Sequence, residues 1–213
     1  MPDIPNLILL AVILLNFFLL GTSRLGACVR AVALQGALLS LLPPFINGLS
    51  SHALGLAVGA FALKALIIPW LLLRAIRQLK IKREIEPRIG YIPSLILGTL
   101  TTAGAFIFSD RLPLLAEHLQ TMIIPASMAT LAAGFLLLIT RRKAVTQVLG
   151  YLVFENGIFI FGLLLAEAMP LMVEAGVLLD MLVAIFVMGI VMDHINREFS
   201  ATIDTEHLNL LRE

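Results

Sequence analysis

Long, nearly uninterrupted apolar blocks restrict the fold of this chain more than any other feature. Hydrophobic residues make up 60% of its 213 residues, and charged residues only 14%. A helix needs about 20 mostly apolar residues to cross a membrane, and it satisfies its backbone polar groups internally, which lipid cannot do. The blocks lack the alternating polarity of a barrel strand. We therefore predict an all-α integral membrane protein.

Seven of the blocks are long enough to span a membrane, which predicts a bundle of seven transmembrane helices. The bundle forms a single transmembrane domain, residues 1–196, and residues 197–213 form a cytoplasmic tail that is either solvated or docked on a neighbouring subunit. Pro43-Pro44 predicts a kink or an early stop near the end of the second helix. The predicted helices cover about 4–22, 31–49, 52–73, 91–109, 121–140, 145–166 and 169–192.

Basic residues are distributed unevenly between the two sides of this bundle. Thirteen of the 15 follow the first, third, fifth or seventh predicted helix, whereas the opposite side holds only Arg111 and Lys64 lies inside a helix. Cytoplasmic loops of membrane proteins carry such an excess. We therefore predict an N-terminus outside and a C-terminus in the cytoplasm, which agrees with an odd number of helices. The basic run from Arg74 to Arg88 either sets this topology or also contacts anionic lipid or a soluble partner.

Residues that commonly bind metals or cofactors are sparse. Cys28 is the single cysteine, and the four histidines are scattered over both predicted sides. An internal disulfide is excluded, and an iron–sulfur cluster or a structural zinc ion is not expected. We predict no metal, no cofactor and no nucleic-acid partner for this chain; its surroundings are membrane lipid and other proteins.

Four ionisable residues fall inside predicted helices: Lys64, Glu155, Glu174 and Asp180. A charge at the membrane centre costs roughly 2.5–3.5 kcal/mol, so these residues must face the bundle interior or water, pair with each other, or become neutral. Counting residues from the helix ends places Lys64, Glu155 and Asp180 about 15–18 Å deep, and Glu174 about 6–8 Å below the outer surface.

This arrangement of a lysine and acids favours proton transfer. A buried carboxyl group binds a proton near neutral pH, and a nearby ammonium group promotes its release. Movement of Lys64 could therefore control the proton on an acid. Structural interpretations stay open: a static Lys64–Glu155 ion pair that fixes helix register, an interfacial Glu174, and an unpaired structural Asp180.

A weak internal repeat accompanies these residues. The segment Leu56 to Lys64 aligns with Met172 to Asp180 at an offset of 116, and Gln35 lies close to the place of Glu155 in the preceding helices. The first three helices would then match the last three, with the fourth as a spacer. Both triplets start outside, which predicts a parallel three-helix repeat rather than the inverted repeat of many transporters.

At these residues the chain resembles two known families. Helices 5–7 are similar to the K subunit of bacterial NADH-quinone oxidoreductase, through the basic loop Thr140 to Lys143 and the stretch Gly150 to Gly157 around Glu155. That family's third-helix acid matches either Glu174 or Asp180. The whole chain resembles hydrogenase-4 component E more closely. The supporting stretches are Leu63 to Pro69, Phe154 to Gly157, Val173 to Asp180 and Thr202 to Leu208.

The resemblance implies a non-catalytic membrane subunit of a formate hydrogenlyase or a related hydrogenase-type complex. Its partners would be antiporter-like and quinone-oxidoreductase-like membrane subunits in a bacterial or archaeal inner membrane. With Lys64, Glu155, Glu174 and Asp180 as proton-transfer residues, the predicted function is translocation of protons or another cation. The alternatives are a structural adaptor between membrane subunits and a stand-alone cation transporter.

Overall fold

The computed structural model of the protein describes residues 3–46, 51–78, 87–112 and 122–165. Every regular element in these ranges is helical, and six helical stretches are long and apolar enough to cross a membrane. They correspond to the first six predicted helices, and the predicted all-helical membrane bundle is confirmed. The predicted seventh helix, with Glu174 and Asp180, and the predicted tail lie outside the described residues.

Two of the six spans, Leu25–Phe45 and Ala57–Arg74, are assembled from more than one helical element. The helical stretch 51–78 is continuous but contains a π-helical segment in its middle. The elements are α1 (Asp3–Gly21), α2 (Leu25–Ser40), α3 (Leu42–Ile46), α4 (Ser51–Ala60), the π-helical segment (Phe61–Ile67), α5 (Ile68–Gln78), α6 (Tyr91–Ser109), α7 (Ile123–Thr140) and α8 (Ala144–Leu165).

The second helix begins earlier and ends earlier than the sequence predicted. Arg30 lies within α2, where its side chain is exposed and its Nε donates to the Gly26 carbonyl at 3.2 Å. A long basic side chain can extend toward the membrane surface, so it need not lie in a loop. The interruption near Pro43-Pro44 falls at Leu41, between α2 and α3. The ring of Pro43 excludes the Leu39 carbonyl four residues earlier, which accounts for a break at Leu41, just before the two prolines.

Glycines bring α7 and α8 into close contact. A methyl group at Gly134 would overlap the backbone of Phe154, and one at Gly157 would lie 2.7 Å from the amide nitrogen of Leu131. At Gly150 it would lie 2.9 Å from Leu137 Cβ. Small residues permit such close approach between membrane helices, where packing rather than water drives association. This hairpin fixes the position of Glu155 in α8.

The buried apolar residues form two clusters separated by a polar layer. One cluster includes Leu20, Val32, Leu137 and Leu152; the other includes Val12, Leu39, Ala126 and Ile160. In α1, α2, α7 and α8 alike, a buried amide, hydroxyl or carboxyl side chain lies along the helix between the members of the two clusters: Asn16, Gln35, Thr130, Glu155 and Asn156.

Arg141 lies in the short basic loop between α7 and α8, as predicted, but its side chain is buried. Its side chain is 1% exposed, one guanidinium nitrogen donates to the Leu20 carbonyl at 2.6 Å, and the guanidinium lies 4.4 Å from the centre of the Tyr91 ring. The carbonyls at a helix C-terminus lack intrahelical donors and attract a cation. Arg141 therefore stabilises the end of α1 and joins it to the α7–α8 hairpin.

Candidate functional site

Lys64 and Glu155 form an ion pair inside the bundle. Lys64 Nζ lies 3.2 Å from Glu155 Oε1, and the two side chains are 6% and 4% exposed. The lysine nitrogen also lies 4.8 Å from the centre of the Phe159 ring, one helical turn beyond Glu155 on α8. Pairing and ring contact compensate the removal of both charges from water. The sequence predicted the same depth for Lys64 and Glu155, and the structure brings them into direct contact.

Lys64 reaches this position because its helix is widened at this point and because the residue that faces it on α2 is a glycine. The residue lies in the π-helical segment, a conformation that occurs as short bulges and often at functional sites. Pro69 is the second residue after the segment, and its ring cannot approach the carbonyl of Ala65 as in a regular helix, which provides a reason for the wider turn. A methyl group at Gly36 would lie 2.6 Å from Lys64 Cβ. The absence of a side chain there lets the lysine enter the bundle.

Glu155 borders a small cavity. The volume open to the centre of a water molecule in this cavity is about 10 Å³. The cavity is lined by three polar residues, Lys64, Glu155 and Asn156, and by three apolar residues, Val32, Ile68 and Leu152. Both carboxyl oxygens of Glu155 are buried and accept no hydrogen bond from the described residues. A site of this volume with several polar groups suits one water molecule. A water there would contact the carboxyl group, the amine and the amide.

A buried hydrogen-bonded chain extends from Lys64 across the polar layer. Lys64 Nζ donates to Asn156 Oδ1 at 3.2 Å, and Asn156 Nδ2 donates to Gln35 Oε1 at 3.2 Å. Gln35 Nε2 donates to Asn16 Oδ1 at 2.8 Å, and Asn16 Nδ2 donates to Thr130 Oγ1 at 2.9 Å. The chain thus connects the π-helical segment with α8, α2, α1 and α7.

Sequence reasoning found part of this site. Lys64 and Glu155 were singled out, and the structure places them together; Glu174 and Asp180 lie outside the described residues. Asn16 and Thr130 were missed. The usable signal was a polar side chain in the middle of an apolar helix, a pattern that Gln35 and Asn156 share. A buried amide in lipid requires a partner, so several in different helices at similar depth predict one another.

The described residues contain no group of three or more histidine, cysteine, aspartate or glutamate side chains arranged to bind a metal ion. At the site described above, these residues offer one lysine, one carboxyl group, amides and a water-sized cavity. Such a set can hold a proton, exchange it with water and stabilise either charge state by moving the lysine.

Comparison with known proteins gives two sets of relatives. The chain is 32% identical over 207 residues to the uncharacterized protein Rv0085 of Mycobacterium tuberculosis, covering 94% of this chain and 92% of that protein. It is 28% identical over 160 residues to hydrogenase-4 component E of Escherichia coli (strain K12), covering 73% of this chain and 72% of that protein. A hydrogenase-4 component E of Shigella flexneri matches to the same extent. No family model matches the chain, and no solved structure matches it.

These relatives support the predicted resemblance to hydrogenase-4 component E as a distant relationship. The predicted similarity of the C-terminal half to the K subunit of NADH-quinone oxidoreductase stays a prediction. The chain is a multi-pass membrane protein that belongs to the family of Rv0085 and is distantly related to hydrogenase-4 component E.

Proposed function

We propose that this chain is a non-catalytic membrane subunit of a hydrogenase-type redox complex and that it contributes to translocation of protons or another cation through Lys64 and Glu155. The distant relationship to hydrogenase-4 component E supports the assignment to such a complex. The observation that carries the role in translocation is the buried Lys64–Glu155 pair beside a cavity of the size of one water.

A membrane protein of this kind rarely retains buried charges without a function, because each must be compensated. The pair lies in a polar layer between two apolar clusters, so a proton on Glu155 is separated from both membrane surfaces by apolar packing. Controlled hydration of this layer would allow transfer and its drying would prevent it. Electron transfer on other subunits would supply the energy.

The proposal extends to parts of the chain outside the described residues. Glu174 and Asp180 would continue the proton path, and the N-terminus would face the outside of a bacterial or archaeal cell membrane. Antiporter-like and quinone-oxidoreductase-like membrane subunits would be the partners. The complex would be a formate hydrogenlyase or a related hydrogenase-type complex.

The first experiment replaces Glu155 in the intact complex. The complex is purified in a mild detergent, its subunits are identified, and it is reconstituted in liposomes that contain a pH-sensitive dye. We expect Glu155→Gln to reduce proton transfer coupled to turnover by about tenfold or more, since the variant has no titratable group, and to leave electron transfer to a soluble dye unchanged.

Glu155→Asp is the matched control, since it keeps an acid at the same position and should retain part of the coupling. Full coupling in the Glu155→Gln complex would contradict the proposed role in translocation and would favour the adaptor. Purification without any redox subunit would contradict the assignment to a hydrogenase-type complex.

A further inference from the structure

The hydrogen bonds of the polar layer all donate in the same direction. Starting at Lys64, each group donates to the next: Lys64 to Asn156, Asn156 to Gln35, Gln35 to Asn16, and Asn16 to Thr130. Thr130 Oγ1 then donates to the backbone carbonyl of Ala126 at 2.7 Å. Each amide uses its oxygen on the side of Lys64 and its nitrogen on the side of Thr130.

The two ends of the chain determine this direction. A charged lysine amine has no lone pair and can only donate, and the carbonyl of Ala126 can only accept. Thr130 donates its hydroxyl proton to that carbonyl, so its oxygen accepts the hydrogen bond from Asn16. Reversing any amide between these ends would place two donors or two acceptors against each other.

The members of the chain are buried almost completely, which makes every bond costly to lose. Gln35 and Thr130 are 0% exposed, and Asn16 and Asn156 are 3% exposed. A buried polar group that loses its partner retains its full desolvation penalty, and bonds in one direction polarise each other. The position of the Lys64 amine is therefore coupled to α1 and α7 through the intervening amide side chains.

Amide groups neither bind nor release protons near neutral pH, so this chain does not itself conduct protons. We propose that Asn156, Gln35, Asn16 and Thr130 are positioning residues that hold the charged amine of Lys64 against Glu155 and thereby set the pH at which Glu155 exchanges its proton. The inference rests on the proposed function, because the side chains that are positioned are those of the Lys64–Glu155 pair. Among the described residues, Lys64 provides the charged side chain that pairs with Glu155.

The test uses the last member of the chain, which is remote from the carboxyl group. Thr130→Val preserves the shape of the side chain but removes the acceptor for Asn16 and the donor to Ala126. The full-length chain is purified in lipid nanodiscs, and the carbonyl stretch of protonated Glu155 is followed by infrared spectroscopy as the pH is varied. The Glu155→Gln variant identifies the band.

We expect Thr130→Val to displace the pH midpoint of the Glu155 band by about 0.5–1.5 pH units, the range that corresponds to a coupling through several residues. Thr130→Ser restores the hydroxyl group and should restore the midpoint. Ser127→Ala is the matched control, because Ser127 is also buried on α7 but donates only to the Ile124 carbonyl of its own helix. Its midpoint should equal that of the unaltered chain.

A second comparison shows whether the effect passes through the lysine. In a Lys64→Met background, Thr130→Val should no longer displace the midpoint. An unchanged midpoint for folded Thr130→Val in the presence of Lys64, or an equal displacement without Lys64, would overturn the inference. If Thr130→Val does not yield folded protein, Gln35→Met replaces it and the same comparison decides.

This readout separates the inference from the proposed function. The midpoint of the Glu155 band is measured on the chain alone, whereas translocation is measured on the complex. Loss of coupling in Glu155→Gln with an unmoved midpoint in Thr130→Val would contradict only the positioning role. A displaced midpoint with full coupling in Glu155→Gln would contradict only the role in translocation.

Discussion

At the scale of the residue, the central feature is a lysine and a carboxyl group that compensate each other in an apolar surrounding. Lys64 contacts Glu155, Asn156 and the Phe159 ring at the same time. Charge pairing, an amide acceptor and an aromatic face together replace the water that the amine loses. Gly36 is the small residue that makes room for this arrangement.

Removal of one partner of the pair should destabilise the protein more than removal of both. Breaking a buried pair costs about 3–5 kcal/mol, because one charge stays buried without compensation, whereas replacing both partners can be nearly neutral. We therefore expect a lower thermal unfolding temperature for Lys64→Met and a partial recovery in Lys64→Met/Glu155→Gln. The measurement is thermal unfolding of the purified chain in detergent, followed by intrinsic fluorescence. Equal loss in the single and double variants would contradict a compensating pair.

At the scale of the element, the α7–α8 hairpin determines where Glu155 and Asn156 lie. Its close contact depends on Gly134, Gly150 and Gly157, each of which faces backbone or a Cβ atom of the other helix. The π-helical segment contributes Lys64 from the other side of the pair, and α2 packs against both this segment and α8. Small changes in helix distance are thus transmitted directly to the distance between Lys64 and Glu155.

Gly134→Ala should weaken the hairpin. The added methyl group would overlap the backbone of Phe154, which cannot move without displacing α8, and overpacking of this kind costs about 1–3 kcal/mol. Gly162→Ala on α8 is the matched control, since no atom of another described helix lies within 4 Å of the added group. We expect Gly162→Ala to leave the unfolding temperature unchanged or slightly raised. A Gly134→Ala variant as stable as Gly162→Ala would show that the helices can separate at little cost.

At the scale of the whole molecule, basic residues that flank α1, α6 and α7 gather at one end of the bundle. Arg141 contacts the end of α1 and the start of α6, and the backbone N–H of Arg88 donates to the Thr140 carbonyl at 2.7 Å. The loops after α1 and α7 and the segment before α6 therefore meet on one side. The positive-inside rule predicts that this side faces the cytoplasm.

Labelling of single cysteines should establish the orientation. In a Cys28→Ser background, we expect Ser23→Cys, between α1 and α2, to react with an impermeant maleimide only after the membrane is permeabilised. Asp110→Cys, which follows α6 and is exposed, should react in intact cells. Neither substitution removes a basic residue, so the charge distribution that directs insertion is preserved. The reverse labelling pattern would contradict the predicted topology.

Hydropathy along the chain was sufficient to predict the helical membrane bundle and the burial of Lys64 and Glu155. Both predictions rest on local composition, because lipid imposes the same requirement on every spanning segment. The equal depth predicted for Lys64 and Glu155 by residue counting agrees with their direct contact. The early end of α2 was predicted only approximately, since Pro43-Pro44 indicates a break but not the residue at which it falls.

Tertiary packing decided which polar groups meet. No local pattern distinguishes Arg141, which is buried against Leu20 and Tyr91, from its exposed neighbour Arg142. The chain from Lys64 to Thr130 joins residues 92 to 121 positions apart at three of its links, and its direction depends on which group stands at each end. Hydrophobic burial depends on how apolar a segment is and therefore appears in sequence, whereas a hydrogen bond requires two atoms at a defined distance and angle. Only the arrangement of the helices supplies that geometry.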